Sequence, residues 1–214
     1  MIVKVDNSIP GYFRYTQIMA TMPYVSTVPN GGSILELGSF FGKLTVQIGL
    51  NKHDSVRLHT IDRWGSINLS SLNQLKDWMI NQSEFDAIFN MDNKVISKVD
   101  DNGILSGDEF YNCWKMFTKT ITNATHLRSN IYDVDTSDDS EYDLIIQDAS
   151  HDYKGVWTEL EKFWPLLKKG GTWIADDYHD HWPEVKQALN DWTANTQYDN
   201  INYLKPDGMI LIKK

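Results

Sequence analysis

YDLIIQDASHDYKGVWTELEKFWPLLKKGGTWIADD, residues 142–177, reads as strand, helix, strand. YDLIIQD (142–148) is a short apolar-rich run bounded by polar residues, the mark of a buried strand. YKGVWTELEKFWPLLKKGG (153–171) places apolar residues three and four apart, which predicts a helix stopped at Gly170 and Gly171. TWIADD (172–177) predicts the next strand. The first strand runs straight into Asp148, Ala149, Ser150 and His151, a carboxylate, a hydroxyl and an imidazole at the mouth of a buried element.

The same alternation extends in both directions. SILELG (33–38), VRLHTID (56–62) and THLRSN (125–130) read as further strands. Helices are predicted in GKLTVQIGLN (42–51), GDEFYNCWKMFTKTI (107–121) and HWPEVKQALNDWT (181–193), after an amphipathic stretch over 12–27. At the carboxyl end, DNINYLKPDGMILIKK (199–214) has a Pro-Asp-Gly break between two strand-like runs and predicts a hairpin. Alternating strands and helices build an α/β fold around a mostly parallel sheet, with helices on both faces. Ligands of such sheets lie beyond the carboxyl ends of the strands. Glu36, Gly38, Asp62, Asp148, Asp176 and Asp177 all fall at predicted strand ends. Residues 64–104 are polar and rich in Trp and Asn, with a helix predicted in LSSLNQLKDWMINQ (69–82).

With 214 residues, 41% of them hydrophobic, the chain is long enough for one domain with a full core. The expected organisation is a single domain over 1–214 with a variable substrate or lid insertion at about 64–110. A net charge of −9 argues against a nucleic-acid groove, which needs an excess of Lys and Arg. No run approaches the eighteen apolar residues of a membrane span, and MIVKVDNSIPGYFRY has no apolar signal core. Cys113 is the only cysteine, so no disulfide can form within the chain and a cytoplasmic setting is expected. Eight Trp and ten Tyr serve either packing or an aromatic-lined pocket.

ELGSFFGKLT (36–45) is not a Gly-x-Gly-x-x-Gly loop, yet Gly38 and Gly42 leave room for a ligand against the backbone after the first strand. Turn glycines with no ligand are the alternative. Glu36 offers an acceptor for amino or hydroxyl groups. Asp62 ends the second strand, where an acidic side chain can receive both hydroxyls of a ribose. Glu36, Gly38 and Asp62 together suggest an adenosine-containing ligand.

The order ILELGSFFGKLT, LHTID, YDLIIQDASHDYKGVWTELEKFWPLLKKGGTWIADDY resembles the class I S-adenosylmethionine-dependent methyltransferases, and within them the macrocin O-methyltransferase-like group that methylates sugar hydroxyls. The resemblance covers about residues 33–195 and is weakest over 64–125. It implies a Rossmann-like, seven-stranded, mostly parallel sheet ending in an antiparallel hairpin. It implies S-adenosyl-L-methionine over the loop of Gly38, Ser39, Phe40 and Gly42, with Glu36 toward the amino-acid end, Asp62 on the ribose, Ser129 and Asn130 near the adenine, and Asp148 bordering the cofactor. It also implies Mg²⁺ held by Asp148, Asp176 and Asp177, with a small-molecule hydroxyl as acceptor. Oxygen ligands suit that hard ion. Successive residues of a strand face opposite ways, so Asp176 and Asp177 can both reach an ion only if the strand has ended before them.

This chain departs from the group at Ser150, where an Asp proposed as general base often stands. Serine is too weak a base at neutral pH. His151, with an ordinary pKa near ~6.5, is the candidate in its place, and capping or orienting the adenine is its alternative. The loss leaves an inactive relative as a rival reading. A nicotinamide-dependent oxidoreductase is another, against which the glycine spacing and the hairpin both count. QDAS (147–150) stands where amino-methylating nucleic-acid enzymes carry Asn/Asp-Pro-Pro-aromatic. His179 and His181 lack a second ligand pair for zinc and read as rim residues. Tyr178 and Trp182 either line the pocket or pack the last helix, and Cys113 reads as core. Trp64, Trp78, Phe85 and Phe89 are candidates to cover an acceptor, to form a contact between copies in a homo-oligomer, or to pack inside.

Overall fold

The computed structural model describes residues 2–9, 11–68, 98–137, 141–204 and 208–214. Its elements are α1 (Tyr15–Thr27), β1 (Ser33–Leu37), α2 (Lys43–Asn51), β2 (Arg57–Asp62), β3 (Ile67–Asn68), β4 (Ile104–Leu105), α3 (Gly107–Thr118), β5 (Ala124–Arg128), a 3₁₀ turn (Ile131–Asp133), β6 (Tyr142–Gln147), α4 (Tyr153–Phe163), β7 (Leu167–Ala175), α5 (Pro183–Asn195), β8 (Asn200–Leu204) and β9 (Met209–Lys213).

Seven strands form one sheet in the order β5-β2-β1-β6-β7-β9-β8. β5, β2, β1, β6 and β7 run parallel, and β9 pairs antiparallel with both β7 and β8. The predicted hairpin is therefore present and extends the sheet. Every residue of β1 is buried, as befits the central strand of a sheet covered twice. Alternate residues feed two cores. Leu35, Leu37, Ile145, Trp173 and Ile212 face α4 and α5, which add Val156, Leu160, Phe163, Val185 and Leu189. Ile34, Leu144, Ile146, Ile174 and Leu211 face α1 and α2, which add Ile18, Met22, Val25, Leu44 and Ile48. Chain order reverses between β1 and β6, so the following helices leave to opposite faces and open a crevice at the carboxyl edge.

The predicted helix stop is corrected. α4 ends at Phe163, because Pro165 has no N–H to give and its ring crowds the preceding turn. The chain joins β7 at Leu167, and the pairing slips from Tyr142↔Leu167 to Leu144↔Thr172. Gly170, at φ +79°, thus sits in a bulge of β7 and not in a helix cap. At the other end β7 stops at Ala175, so Asp176 and Asp177 lie beyond the strand.

β3 and β4 pair into a small antiparallel ribbon at the two ends of the insertion. The helix predicted over 69–82, and Trp78, Phe85 and Phe89, lie outside the described residues. Trp64 is fully buried with Phe41, Leu105, Phe110, Cys113 and Trp114 in a third cluster under α3. Part of the aromatic surplus, and the cysteine, is therefore core.

Candidate functional site

Glu36 is the penultimate residue of β1 and fully buried. Its Oε2 accepts from Ser39 Oγ at 3.1 Å and from Thr45 Oγ1 at 2.7 Å, tying strand, loop and α2 together. Oε1 is buried with no partner. Burial pushes the carboxyl up to about 8 against the two hydroxyl hydrogen bonds. Gly38 follows at φ +84°, and a Cβ there would come within 2.6 Å of the Asp148 carbonyl carbon. Gly42, at φ +97°, would meet Thr118 Cγ2 at 2.6 Å. A side chain at either position would therefore meet the backbone just beyond β6 or the Thr118 side chain at the end of α3.

Asp62 braces the loop. Its Oδ2 accepts from the backbone N–H of Ser39 and of Phe40, both at 2.9 Å, and its Oδ1 from that of Trp64 at 2.7 Å. Of about four lone pairs on a carboxylate, one on Oδ1 is left for a further donor. Phe40, at φ +48°, lies half-buried between Tyr12 and Phe110, with ring centroids 5.3 Å from each. Ser129 donates its N–H to the Asp62 carbonyl at 3.0 Å, and Asn130 Oδ1 caps the 3₁₀ turn through Tyr132 N at 3.1 Å.

The second half of the site is built from the ends of β6 and β7. Asp148 follows Gln147 and keeps its side chain 28% exposed. Asp177, at φ +60°, turns its carboxylate between two imidazoles: His151 Nε2 lies 2.8 Å from Oδ2, and His179 Nε2 3.3 Å from Oδ1. His151 Nε2 is also 4.0 Å from Asp148 Oδ1, and its ring stacks on Trp182 at 4.5 Å. Ligand atoms of Asp148, His151 and Asp177 all lie within 4.8 Å of one another. Donors around one ion with bonds of ~2.1 Å stand roughly 3–4 Å apart, so this oxygen-rich trio fits a divalent ion after a small adjustment.

Asp176 is not brought into the trio. It is buried, and Gln17 Nε2 donates to both its oxygens, at 2.6 Å and 2.8 Å. Burial, followed by the charges of Asp176 and Asp177, raises the Asp148 carboxyl well above its ordinary range. Burial also raises Asp176, helped by Asp177 and opposed by hydrogen bonds and the Arg14 charge. Burial works against a protonated His151, but the hydrogen bond and charge of Asp177, with Glu159 and Asp176, outweigh it and raise its pKa. Burial lowers His179. Tyr178 hydrogen-bonds Asn190 and packs on Tyr203.

Two residues of this region escaped sequence reasoning. Gln17 carried no signal, since its partner lies 159 residues away. Glu159 did carry one, an acid inside the apolar stripe of Val156, Leu160 and Phe163. It is fully buried, accepts from Gln147 Nε2 at 2.5 Å, and is pushed up to about 7 by burial against hydrogen bonds from Ser150 and Gln147.

A family model described as a methyltransferase domain matches residues 35–178. A comparison with curated proteins finds no match. Among solved structures the chain is similar to the O-methyltransferase NovP, with a TM-score of 0.62 and 17% identity over 93% of this chain and 79% of that one. It is also similar to the calicheamicin methyltransferase CalS11 (TM-score 0.57, 14% identity, 94% and 80% covered). A third is SMU.1697c from Streptococcus mutans, determined with SAH (TM-score 0.52, 11% identity, 91% and 96% covered). At these identities the structures establish a shared fold.

Proposed function

Because the chain belongs to the methyltransferase-domain family, we propose that it transfers the methyl group of S-adenosylmethionine to a hydroxyl of a small molecule, a sugar or other polyol, with a divalent metal ion assisting. The observation that carries this reading is the convergence of Asp148, His151 and Asp177 at the carboxyl edge, beside the loop that follows β1. Two groups at that loop support a cofactor there: the buried Glu36 Oε1 lacks a hydrogen-bond partner, and Asp62 keeps one lone pair for a ribose hydroxyl. Ser39 and Phe40, whose N–H groups Asp62 holds, shape the loop against it.

Asp148 and Asp177 would hold the ion, with Asp176 behind them; Mg²⁺ suits the carboxylates. Such an ion lowers the pKa of a bound hydroxyl, as zinc lowers that of water from roughly 16 to about 7. His151, whose Nε2 faces Asp177 at 2.8 Å, would take the acceptor's proton on that nitrogen once Asp177 turns to the ion, with its ring stacked on Trp182. Holding acceptor and donor in attack geometry is worth about 7–11 kcal/mol of barrier. CalS11 is described as a TDP-rhamnose 3′-O-methyltransferase, which favours a sugar as acceptor. The net charge of −9 disfavours a nucleic acid as acceptor, and the family match favours methyl transfer over the nicotinamide reading.

The test is a thermal-shift series followed by turnover. S-adenosylmethionine at a hundred times its Kd stabilises by about 2.7 kcal/mol, whereas NAD does not. Labelled methyl then passes to members of a sugar and polyol panel, faster with Mg²⁺ than after chelation. A shift with NAD alone, or cofactor binding with no transfer to any hydroxyl, overturns the proposal.

A further inference from the structure

Asp177 is a non-glycine residue at φ +60°. That conformation is strained for an L-residue, less so for Asp, and persists only where neighbours over-determine it. Three sets of hydrogen bonds do so. Asp176 N donates to the Gln147 carbonyl at 2.9 Å, which anchors the turn to β6. Tyr178 N donates to the Gly208 carbonyl at 2.7 Å, and His179 N to that of Asp177 at 2.8 Å. The third is a side chain: Asp176 Oδ1 accepts the N–H of Asp177 itself at 2.8 Å.

That carboxylate is in turn held from α1. Gln17 is 3% exposed, and its Nε2 reaches both Asp176 oxygens while its Oε1 accepts the Arg14 N–H at 2.7 Å. One amide thus caps the first turn of α1 and satisfies a buried acid at the end of β7. Removing its donor would leave Asp176, 8% exposed, short of hydrogen bonds and free to seek others.

We propose that Gln17 and Asp176 are a positioning pair, in which Gln17 fixes the carboxylate that keeps Asp177 in its left-handed turn and so aims Asp177 at His151 and Asp148. α1 is thereby part of the site's construction although none of its residues belongs to the convergent trio. The pair deepens the metal-assisted reading and rests on it for the meaning of Asp177's aim.

The test uses the full chain. Gln17→Glu keeps the acceptor for Arg14 and the side-chain shape but loses both donated hydrogen bonds. The Asp177 amide then exchanges with solvent at least about ten-fold faster, and Mn²⁺ affinity, read from the resonance of free Mn²⁺, falls about 10–100-fold, the usual cost of losing an outer-shell partner. Adding Asp176→Asn lets the new amide donate to Glu while its oxygen still accepts from Asp177, so both readouts recover. Unchanged exchange in Gln17→Glu, or no recovery in the double variant, overturns the pair; ion affinity lost for good with exchange restored assigns Asp176 to the ion itself and overturns it too. If the unsubstituted protein takes up neither Mn²⁺ nor S-adenosylmethionine, the metal-assisted reading fails, and amide exchange still decides the pair.

Discussion

His151 and Asp177, 26 positions apart in sequence, meet at 2.8 Å because the two strand ends they follow are neighbours in the sheet. His151→Ala is expected to lower methyl transfer by about 10²–10⁴-fold, the range for a general base, while leaving cofactor affinity within a few-fold. Turnover on a confirmed acceptor, set beside calorimetric binding of S-adenosylmethionine, checks both halves. Gly38→Ala tests a different residue-scale demand. A Cβ at φ +84° meets the Asp148 carbonyl group, so β1 and β6 must part. Backbone strain alone costs about 1–2 kcal/mol, and the clash adds to it, so urea unfolding should report a loss above about 2 kcal/mol. Asp148, His151 and Asp177 were legible in sequence because polar residues at a strand mouth stand out against an apolar run. Asp176 was legible as an acid but not in its partner, since no local pattern announces Gln17.

Among the elements, α4 shows where a local signal misled. Its apolar spacing runs on past Pro165, and the two glycines look like a stop, yet Pro165 decides the end and the glycines serve a bulge that realigns β7 on β6. At the other end of α4 the local signal suffices. Asp152 is the N-cap, and its side chain accepts the Gly155 N–H at 2.9 Å. Asp152→Ala is expected to destabilise the protein by about 1 kcal/mol, read as a lower urea midpoint at unchanged slope. Because this cap also sets the path from His151 into the helix, a larger loss of turnover than of stability would show strain passed to the imidazole. The terminal hairpin needed no tertiary knowledge: two apolar runs around a Pro-Asp-Gly break have little choice but to pair.

Across the molecule, burial of acids couples stability to pH. Glu36 is raised from 4.5 to about 8, and Glu159 from 4.5 to about 7. Below pH 4.5 both states carry these protons. As pH rises, the unfolded chain releases them first while the folded chain keeps them, so stability falls until each folded pKa is passed. At about 1.4 kcal/mol per pH unit, Glu36 alone contributes a fall on the order of 4 kcal/mol between pH 4.5 and 8. Urea unfolding at pH 5, 6.5 and 8 should show this fall, and Glu36→Gln should flatten it; a Gln variant as steep as the original would remove Glu36 from the account. Sequence alone determined the layered α/β plan, the hairpin and the acidic carboxyl edge, because hydrophobic period and chain punctuation are local properties that every fold of this pattern must obey. Only the tertiary structure decided which acid faces which partner. Gln17 on Asp176, Glu159 under the β6 end and the protein's own backbone in the glycine space are contacts between distant segments, and their geometry exists only once the sheet has brought those segments together.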